Sequence, residues 1–350
     1  MKFDEIMRKI TSGLTGNSKI DIKYIQTQME EYKNHDLSTE ILRACGRIMA
    51  ELLPTDVKTD FSRVINNDLK GISETLDEVR FNVYKKNLEK ADKLIANLVK
   101  MADEYPMFKD DSQSQYFCFH EFFEEILYVD FFQPKKDLRR SNLPFDEIYL
   151  QQGSLLFEEK KYMEARAALE KSRKWNPVNL SIAFEYIETF KVTGEIEKFA
   201  KLTKDAFKFA FRSADIARCA RNLGYYYTEI GKYDVAIVCY FYSLSYDQES
   251  KNAQSELYYI QNKTGEKTVN PSKEMFDEIT SKYKLPFEST NRIIGMSIAY
   301  GKHAVEQKQT EAAIYFFEIA YGLTEDEELK EVIDHLNDAQ EVEKGNNSEE

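Results

Sequence analysis

Glycine and proline are scarce, at 13 and 7 in 350 residues, against a combined average usage of roughly 12%. A sheet-rich chain needs turn residues every few positions. The scarcity therefore argues against an all-β fold and for long helices with short connections. Cysteine is equally thin. Cys45, Cys118, Cys219 and Cys239 stand far apart and make no C-x-x-C pair, which argues against a disulfide framework or a structural zinc site. Each lies among apolar residues on a helical pattern, so buried free thiols in a reducing compartment are expected. No stretch approaches ~20 uncharged apolar residues, and no apolar run follows the opening Lys2, Asp4 and Glu5. The expectation is a cytoplasmic chain with no signal peptide and no membrane contact.

A surplus of positive charge is also lacking, with 48 Lys and Arg against 61 Asp and Glu. Net charge is −13 with no polybasic block, which disfavours nucleic acid as a primary ligand, because phosphate binding draws on clustered Lys and Arg. Enzyme signatures are missing: there is no phosphate-binding glycine loop, no dinucleotide fingerprint, no nucleophile elbow and no H-E-x-x-H. The nearest approach is His120 and Glu124, which helical spacing would put on one face. Two ligands among rings do not make a metal site. No catalytic residue, metal or cofactor is assigned.

What the chain does have is apolar residues at 42% and aromatics at 13%, almost all Phe and Tyr. Three segments share one spacing. Tyr149, Gln152, Gly153 and Leu156 lead to Ala165, Leu169 and Pro177. Ala220, Leu223, Gly224 and Tyr227 lead to Ala236 and Tyr240. Ser297, Tyr300, Gly301 and Ala304 lead to Ala313 and Phe317. The interval from Gly to the later Ala is the same in all three. Two antiparallel helices approach closely only where side chains lack bulk, so the Gly and Ala mark contact points and the large residues fill the space around them. Tyr162 and Tyr233 fall at the bend between the two helices.

These residues resemble the tetratricopeptide repeat, whose pattern runs W-x-x-L-G-x-x-Y, then A-x-x-x-F, then P. The Trp is absent from all three segments, and only Pro177 fills the terminal Pro slot. The intervals between Gly153, Gly224 and Gly301 each hold two repeats of ~34 residues. Degenerate repeats are therefore expected over 180–211 and 251–285, giving about five hairpins from 146 to 323. The resemblance implies an all-α fold, a right-handed superhelix of stacked antiparallel hairpins, preceded by an N-terminal helical region.

The expected organisation is a helical region over 1–145, a repeat array over 146–338 and a disordered acidic tail over 339–350. Thr324 and Glu327 look like a capping box for a terminal helix with one apolar stripe through Leu329, Val332, Ile333 and Leu336. In the N-terminal region Ser38 reads as an N-cap, and Leu88, Ala91, Ile95 and Leu98 read as the back helix of a further hairpin. Residues 114–132 are dense in rings, and the polar segment from Pro134 to Pro144 is the candidate junction.

In tetratricopeptide proteins the first helices line a concave groove that holds a peptide. On the first helix of the second clear segment, Arg218, Arg221, Asn222 and Tyr225 avoid the core slots, while Tyr227 and Tyr240 fall on packing positions. Family members that grip a peptide C-terminal carboxylate use Lys, Arg and Asn at comparable slots over several repeats. Here the match covers one repeat, and Ser154 and Phe157 do not extend it. Between 201 and 222, Lys201, Lys204, Lys208, Arg212, Arg218 and Arg221 face only Asp205 and Asp215. Two readings of that excess are open: a solvated face, or a site for an acidic peptide or carboxylate. The function implied is a non-enzymatic scaffold or adaptor that binds a protein or peptide. The alternative is a peptide-sensing regulator of a protein target, a class whose bacterial members resemble this chain in layout.

Overall fold

The computed structural model describes residues 2–105 and 107–346. These form 17 α-helices, a short 3-10 turn and two four-residue strands, in two compact units, Met1–Pro177 and Val178–Glu350.

The first unit opens with α1 (Phe3–Ser12), α2 (Ser18–Tyr32) and α3 (Ser38–Leu52). They close around Ile6, Ile10, Ile25, Ile41 and Cys45. Ser38 is the first residue of α3, whose N-cap is Leu37. Next come α4 (Thr55–Tyr84) and α5 (Leu88–Glu104). Ile72, Leu76 and Val79 of α4 pack with Ala91, Ile95 and Leu98 of α5, as helical spacing predicts for the back helix of a hairpin.

Two strands depart from the expectation of helix alone. β1 (Ser114–Phe117), α6 (Phe122–Phe132) and β2 (Asp137–Arg140) make a parallel pair joined by a helix, with Ser114 opposite Asp137 and Phe117 opposite Arg140. Parallel strands need such a crossover. Four-residue strands carry too little alternation to stand out beside rings at helical spacing. Phe117 stacks on Phe119 at 4.9 Å, and both contact Tyr128 of α6. His120 precedes α6 and so shares no helix face with Glu124. Its backbone N–H instead donates to the Glu124 carboxylate at 2.7 Å, closing the helix start.

This segment is fastened to the hairpin that follows, α7 (Phe145–Glu158) and α8 (Tyr162–Trp175). The Cys118 N–H donates to the Trp175 carbonyl at 2.9 Å. Buried Asn176 donates to the Cys118 carbonyl and to Glu124, at 3.0 and 2.8 Å. His120 Nε2 lies 2.7 Å from a carboxylate oxygen of Asp146, which has no solvent exposure. The two compact units divide after Pro177, so that α7–α8, which also packs on α5 and α4, belongs to the first.

The second unit holds α9 (Leu180–Val192) with α10 (Ile196–Ala206), α11 (Ser213–Glu229) with α12 (Tyr233–Leu244), α13 (Lys251–Thr264) with α14 (Lys273–Tyr283), and α15 (Glu288–Glu306) with α16 (Thr310–Thr324). Four of these pairs, counting α7–α8, close as hairpins, whereas α13 and α14 both pack against α12 and not on each other, so the hairpin expected over 251–285 does not form. A last helix, α17 (Glu327–Asn346), packs on α16 through Leu329, Ile333 and Leu336. Asp326, not Thr324, caps it, accepting the Glu328 N–H at 3.0 Å, while Thr324 is the last residue of α16. The helix runs past Ala339, where the ordered chain was expected to end, as far as Asn346. Residues 347–350 lie outside the described residues.

One turn recurs. In α7–α8, α9–α10, α11–α12 and α15–α16 the residue after the bend has positive φ: Lys160, Gly194, Gly231 and Lys308. The next N–H reaches back five residues, as from Lys232 to the Tyr227 carbonyl at 2.8 Å and from Gln309 to Ala304 at 2.9 Å. This is the Schellman closure of a helix end. α4–α5 uses it too, with Lys86 at φ 59° and the Asn87 N–H on the Asn82 carbonyl at 2.8 Å.

The glycines do what their spacing implies, with one refinement. A Cβ on Gly153 would stand 2.5 Å from Leu169, one on Gly224 2.7 Å from the Tyr240 ring, and one on Gly301 2.7 Å from Phe317. The glycine meets the large residue one turn beyond the conserved-spacing Ala, and Ala165, Ala236 and Ala313 are fully buried beside it.

Gly224→Ala is expected to destabilise the chain by about 1–3 kcal/mol through overpacking. Gly295→Ala, at an exposed site of α15 with open space around a new Cβ, should stabilise by about 0.5–1 kcal/mol. Urea unfolding separates the two, and small effects of the same sign would sink the close-approach account. The Asp146 hydrogen bond pushes the His120 imidazole up to about 9 against the opposing effect of burial. A raised folded-state value stabilises the protein fully below the ordinary value of 6.5, and the gain is lost as pH rises through about 9. The stability advantage of wild type over His120→Gln should shrink across that window. A flat difference would show that the pair contributes packing alone.

Candidate functional site

On α11, Ala217, Ala220, Leu223, Gly224 and Tyr227 are buried. Helical periodicity then leaves Arg218, Arg221, Asn222 and Tyr225 as a stripe on the adjoining face. All four line one cavity of about 470 Å³ within the second unit. Glu188 and Lys191 of α9 and Asn252, Ser255 and Glu256 of α13 complete its sides, and Tyr240 of α12 reaches it from the core. The cavity is thus built from the first helices of three consecutive hairpins.

Its charges are mostly engaged. Arg221 donates to Asp247 at 2.8 Å and to the Ser243 hydroxyl at 3.2 Å. Lys191 lies 3.3 Å from Glu188 and 4.5 Å from the centre of the Tyr225 ring, which meets Phe199 edge-on. Burial, reinforced by Glu229, Glu188 and Glu256, raises the Tyr225 phenol above its usual value. Arg218 differs. Its guanidinium covers the Phe184 ring at 4.3 Å and, among the described residues, has no carboxylate within ion-pair distance, Asp215 acting on it from farther off.

Three polar groups are left without hydrogen-bond partners among the described residues: the carboxamides of Asn222 and Asn252, and the hydroxyl of Tyr240. Tyr240 is 1% exposed. Burial raises its phenol; Thr228 and Glu256 lie near enough to act on it, Thr228 lowering and Glu256 raising it, but neither meets hydrogen-bond geometry. A buried hydroxyl without a partner is costly, and this one borders the cavity.

The basic stretch over 201–222 does not form one surface. Lys204 is half-buried and donates to the Tyr283 carbonyl at 3.0 Å. Lys208 pairs with Asp205 at 3.2 Å, Arg212 lies over Phe211 at 5.1 Å, and Lys201 is exposed. Only Arg218 and Arg221 of the six reach the cavity. The contributions of α9 and α13 were not anticipated from the sequence. A signal was present for α13: Asn252, Ser255 and Glu256 each stand 34 residues after Arg218, Arg221 and Asn222, one tetratricopeptide period.

Tyr242 packs away from this cavity, stacked on Phe287 at 3.8 Å with its hydroxyl 3.0 Å from that of Thr290. The four cysteines are buried and unpaired. Among the described residues no helix is long and apolar enough to cross a membrane, and no three His, Cys, Asp or Glu side chains gather as a metal site would require.

Removing the Tyr240 hydroxyl tests whether it is unsatisfied. Tyr240→Phe should leave stability unchanged or raise it by about 1 kcal/mol in the unliganded protein. A loss of that size in urea unfolding would reveal a partner for the hydroxyl.

No protein family and no curated protein matches the chain. Among solved structures it is similar to a tetratricopeptide repeat protein from Parabacteroides merdae, at 12% identity and TM-score 0.37, covering 75% of this chain and 98% of that one. It is also similar to a chain of an APC/C hetero-tetramer, at 12% identity and TM-score 0.32, covering 93% of this chain and 61% of that one. By its own geometry the protein is an all-α helical-repeat chain, in which α7–α8, α11–α12 and α15–α16 share one spacing, one glycine contact and one turn.

Proposed function

We propose that the protein is a non-enzymatic scaffold that binds an extended segment of another polypeptide in the cleft of α9, α11 and α13. The observation that carries this reading is the pair of unpartnered carboxamides, Asn222 and Asn252, on consecutive first helices. A carboxamide offers a donor and an acceptor together, and so does every peptide group. Placed on the neighbouring helices α11 and α13, the two suit a backbone laid across the helices.

Arg218 adds a preference for negative charge. Its guanidinium is free to take a carboxylate in bidentate geometry. Glu188 is paired with Lys191, while Glu256 on the flank repels further negative charge, so a segment with a single carboxylate, such as a chain terminus, fits better than a polyacidic run. Arg221 is not available in the same way, because Asp247 already holds it. Four buried thiols with no disulfide suit a reducing, cytoplasmic setting.

Selection from a random peptide library displayed with free C-termini provides the test. Selected peptides should lose about tenfold or more in affinity for Arg218→Glu, and a similar amount when their carboxylate is amidated. Asn222→Ala should weaken every selected peptide. Helicity should not change in either variant. Peptides that bind both variants as tightly as wild type would remove the cleft from consideration.

A further inference from the structure

A separate cavity of about 350 Å³ opens within the first unit, a volume in the small-molecule range of roughly 300–1,000 Å³. Its walls carry six rings: Tyr105, Phe108, Tyr116, Phe145, Tyr149 and Trp175. Phe145 and Tyr149 are buried, while the other four remain partly exposed to the opening. Phe145 packs on Trp175 at 4.8 Å, and Phe108 stands 6.2 Å from Phe145 and edge-on to Tyr116 at 5.7 Å. The rings thus form a continuous wall with exposed aromatic surface on the cavity side.

The rim carries Lys109, Lys171 and Lys174 against Asp103 and Asp110. Both carboxylates are already served. Asp103 accepts the Tyr149 hydroxyl at 2.6 Å and the Lys171 ammonium at 3.0 Å. Burial pushes its carboxyl up, but these two bonds outweigh burial and hold it below the usual range. Asp110 accepts the Tyr116 N–H at 2.9 Å and has Lys174 at 3.8 Å. Lys109 is exposed and has no carboxylate within ion-pair distance, and Lys174 is held loosely. The surplus at the rim is therefore cationic, with ammonium N–H groups to spare. An incoming cation would find carboxylates whose charge is already neutralised.

We infer that this cavity binds a small aromatic carboxylate. Its ring lies against Phe108, Phe145 and Trp175, and its carboxylate meets the ammonium groups of Lys109 and Lys174. Ring stacking supplies specificity for a planar group, and the lysines supply the sign of charge. This inference is independent of the peptide cleft, which lies in the other unit.

Trp175 is the only tryptophan in the chain, so its emission reports on this cavity alone. The full chain is titrated with phenylacetate, phenylacetamide and phenethylamine. Phenylacetate should change Trp175 emission saturably, with half-saturation at about 1 mM or below. The Lys109→Ala/Lys174→Ala variant should bind it about fivefold more weakly, with an unchanged thermal midpoint because neither lysine sits in a tight ion pair. Equal binding of the amide or the amine would overturn the inference. So would an unchanged constant in the double variant, or no saturable change with phenylacetate.

Discussion

The hairpins depend on how closely two helices can come together. At Gly153, Gly224 and Gly301 the first helix presents bare backbone to a Leu, Tyr or Phe of the second, and a single methyl group would overlap it. That contact sets the rotation of the first helix about its axis. Once Gly224 faces Tyr240, Ala220, Leu223 and Tyr227 must follow it inward, and a helix has only one remaining face to show. Arg218, Arg221, Asn222 and Tyr225 occupy that face. The candidate cleft is in this sense a consequence of the packing: the core contact decides which side chains are available for binding before any ligand is considered.

Much of this was legible because helical packing is local and periodic. The Gly-to-Ala interval, the aromatic after the Ala, and the bends at Tyr162, Gly194 and Tyr233 all lie within a single hairpin, so linear spacing reports them faithfully. The degenerate hairpin α9–α10 was placed by the length of chain between clear ones, while α13 and α14, expected by the same count, pack on α12 and not as a pair. The features that escaped are those where distant residues decide. β1 and β2 pair across a helix, and neither strand is long enough to show alternation by itself. Asn176 reaches Cys118 and Glu124, more than fifty positions earlier in the chain, a tie that no local pattern signals. The recurring turn was half visible. Gly194 and Gly231 announce a left-handed residue, but Lys86, Lys160 and Lys308 adopt the same conformation with nothing in their chemistry to mark it.

The cleft was legible to a similar depth. Its α11 stripe follows from the periodicity of one helix. Its α13 wall follows from a period of one repeat, although residue types change there from Arg, Arg and Asn to Asn, Ser and Glu, so a search by chemical likeness passes over them. The charge count over 201–222 was the weaker guide. Local excess in sequence does not imply local excess in space, since successive cations on a helix and its following turn point to different neighbours. Lys204 ends on backbone carbonyls, Lys208 on an aspartate, and Arg212 over a ring.

The two arginines left in the cleft have unequal standing, and this bears on how its selectivity is to be understood. Arg221 is held by Asp247 and Ser243 between α11 and the end of α12. Reversing its charge would set two carboxylates together and loosen the hairpin. A loss of binding on that change would therefore report on the fold as much as on the ligand. Arg218 rests on the Phe184 ring, a contact through the face of the guanidinium that leaves its N–H edge open. The ring fixes the plane of the donor fork without occupying it, and so reduces the entropy lost when a carboxylate arrives. Of the two carboxylates lining the same space, Glu188 is held by Lys191 and Glu256 is left to oppose further negative charge.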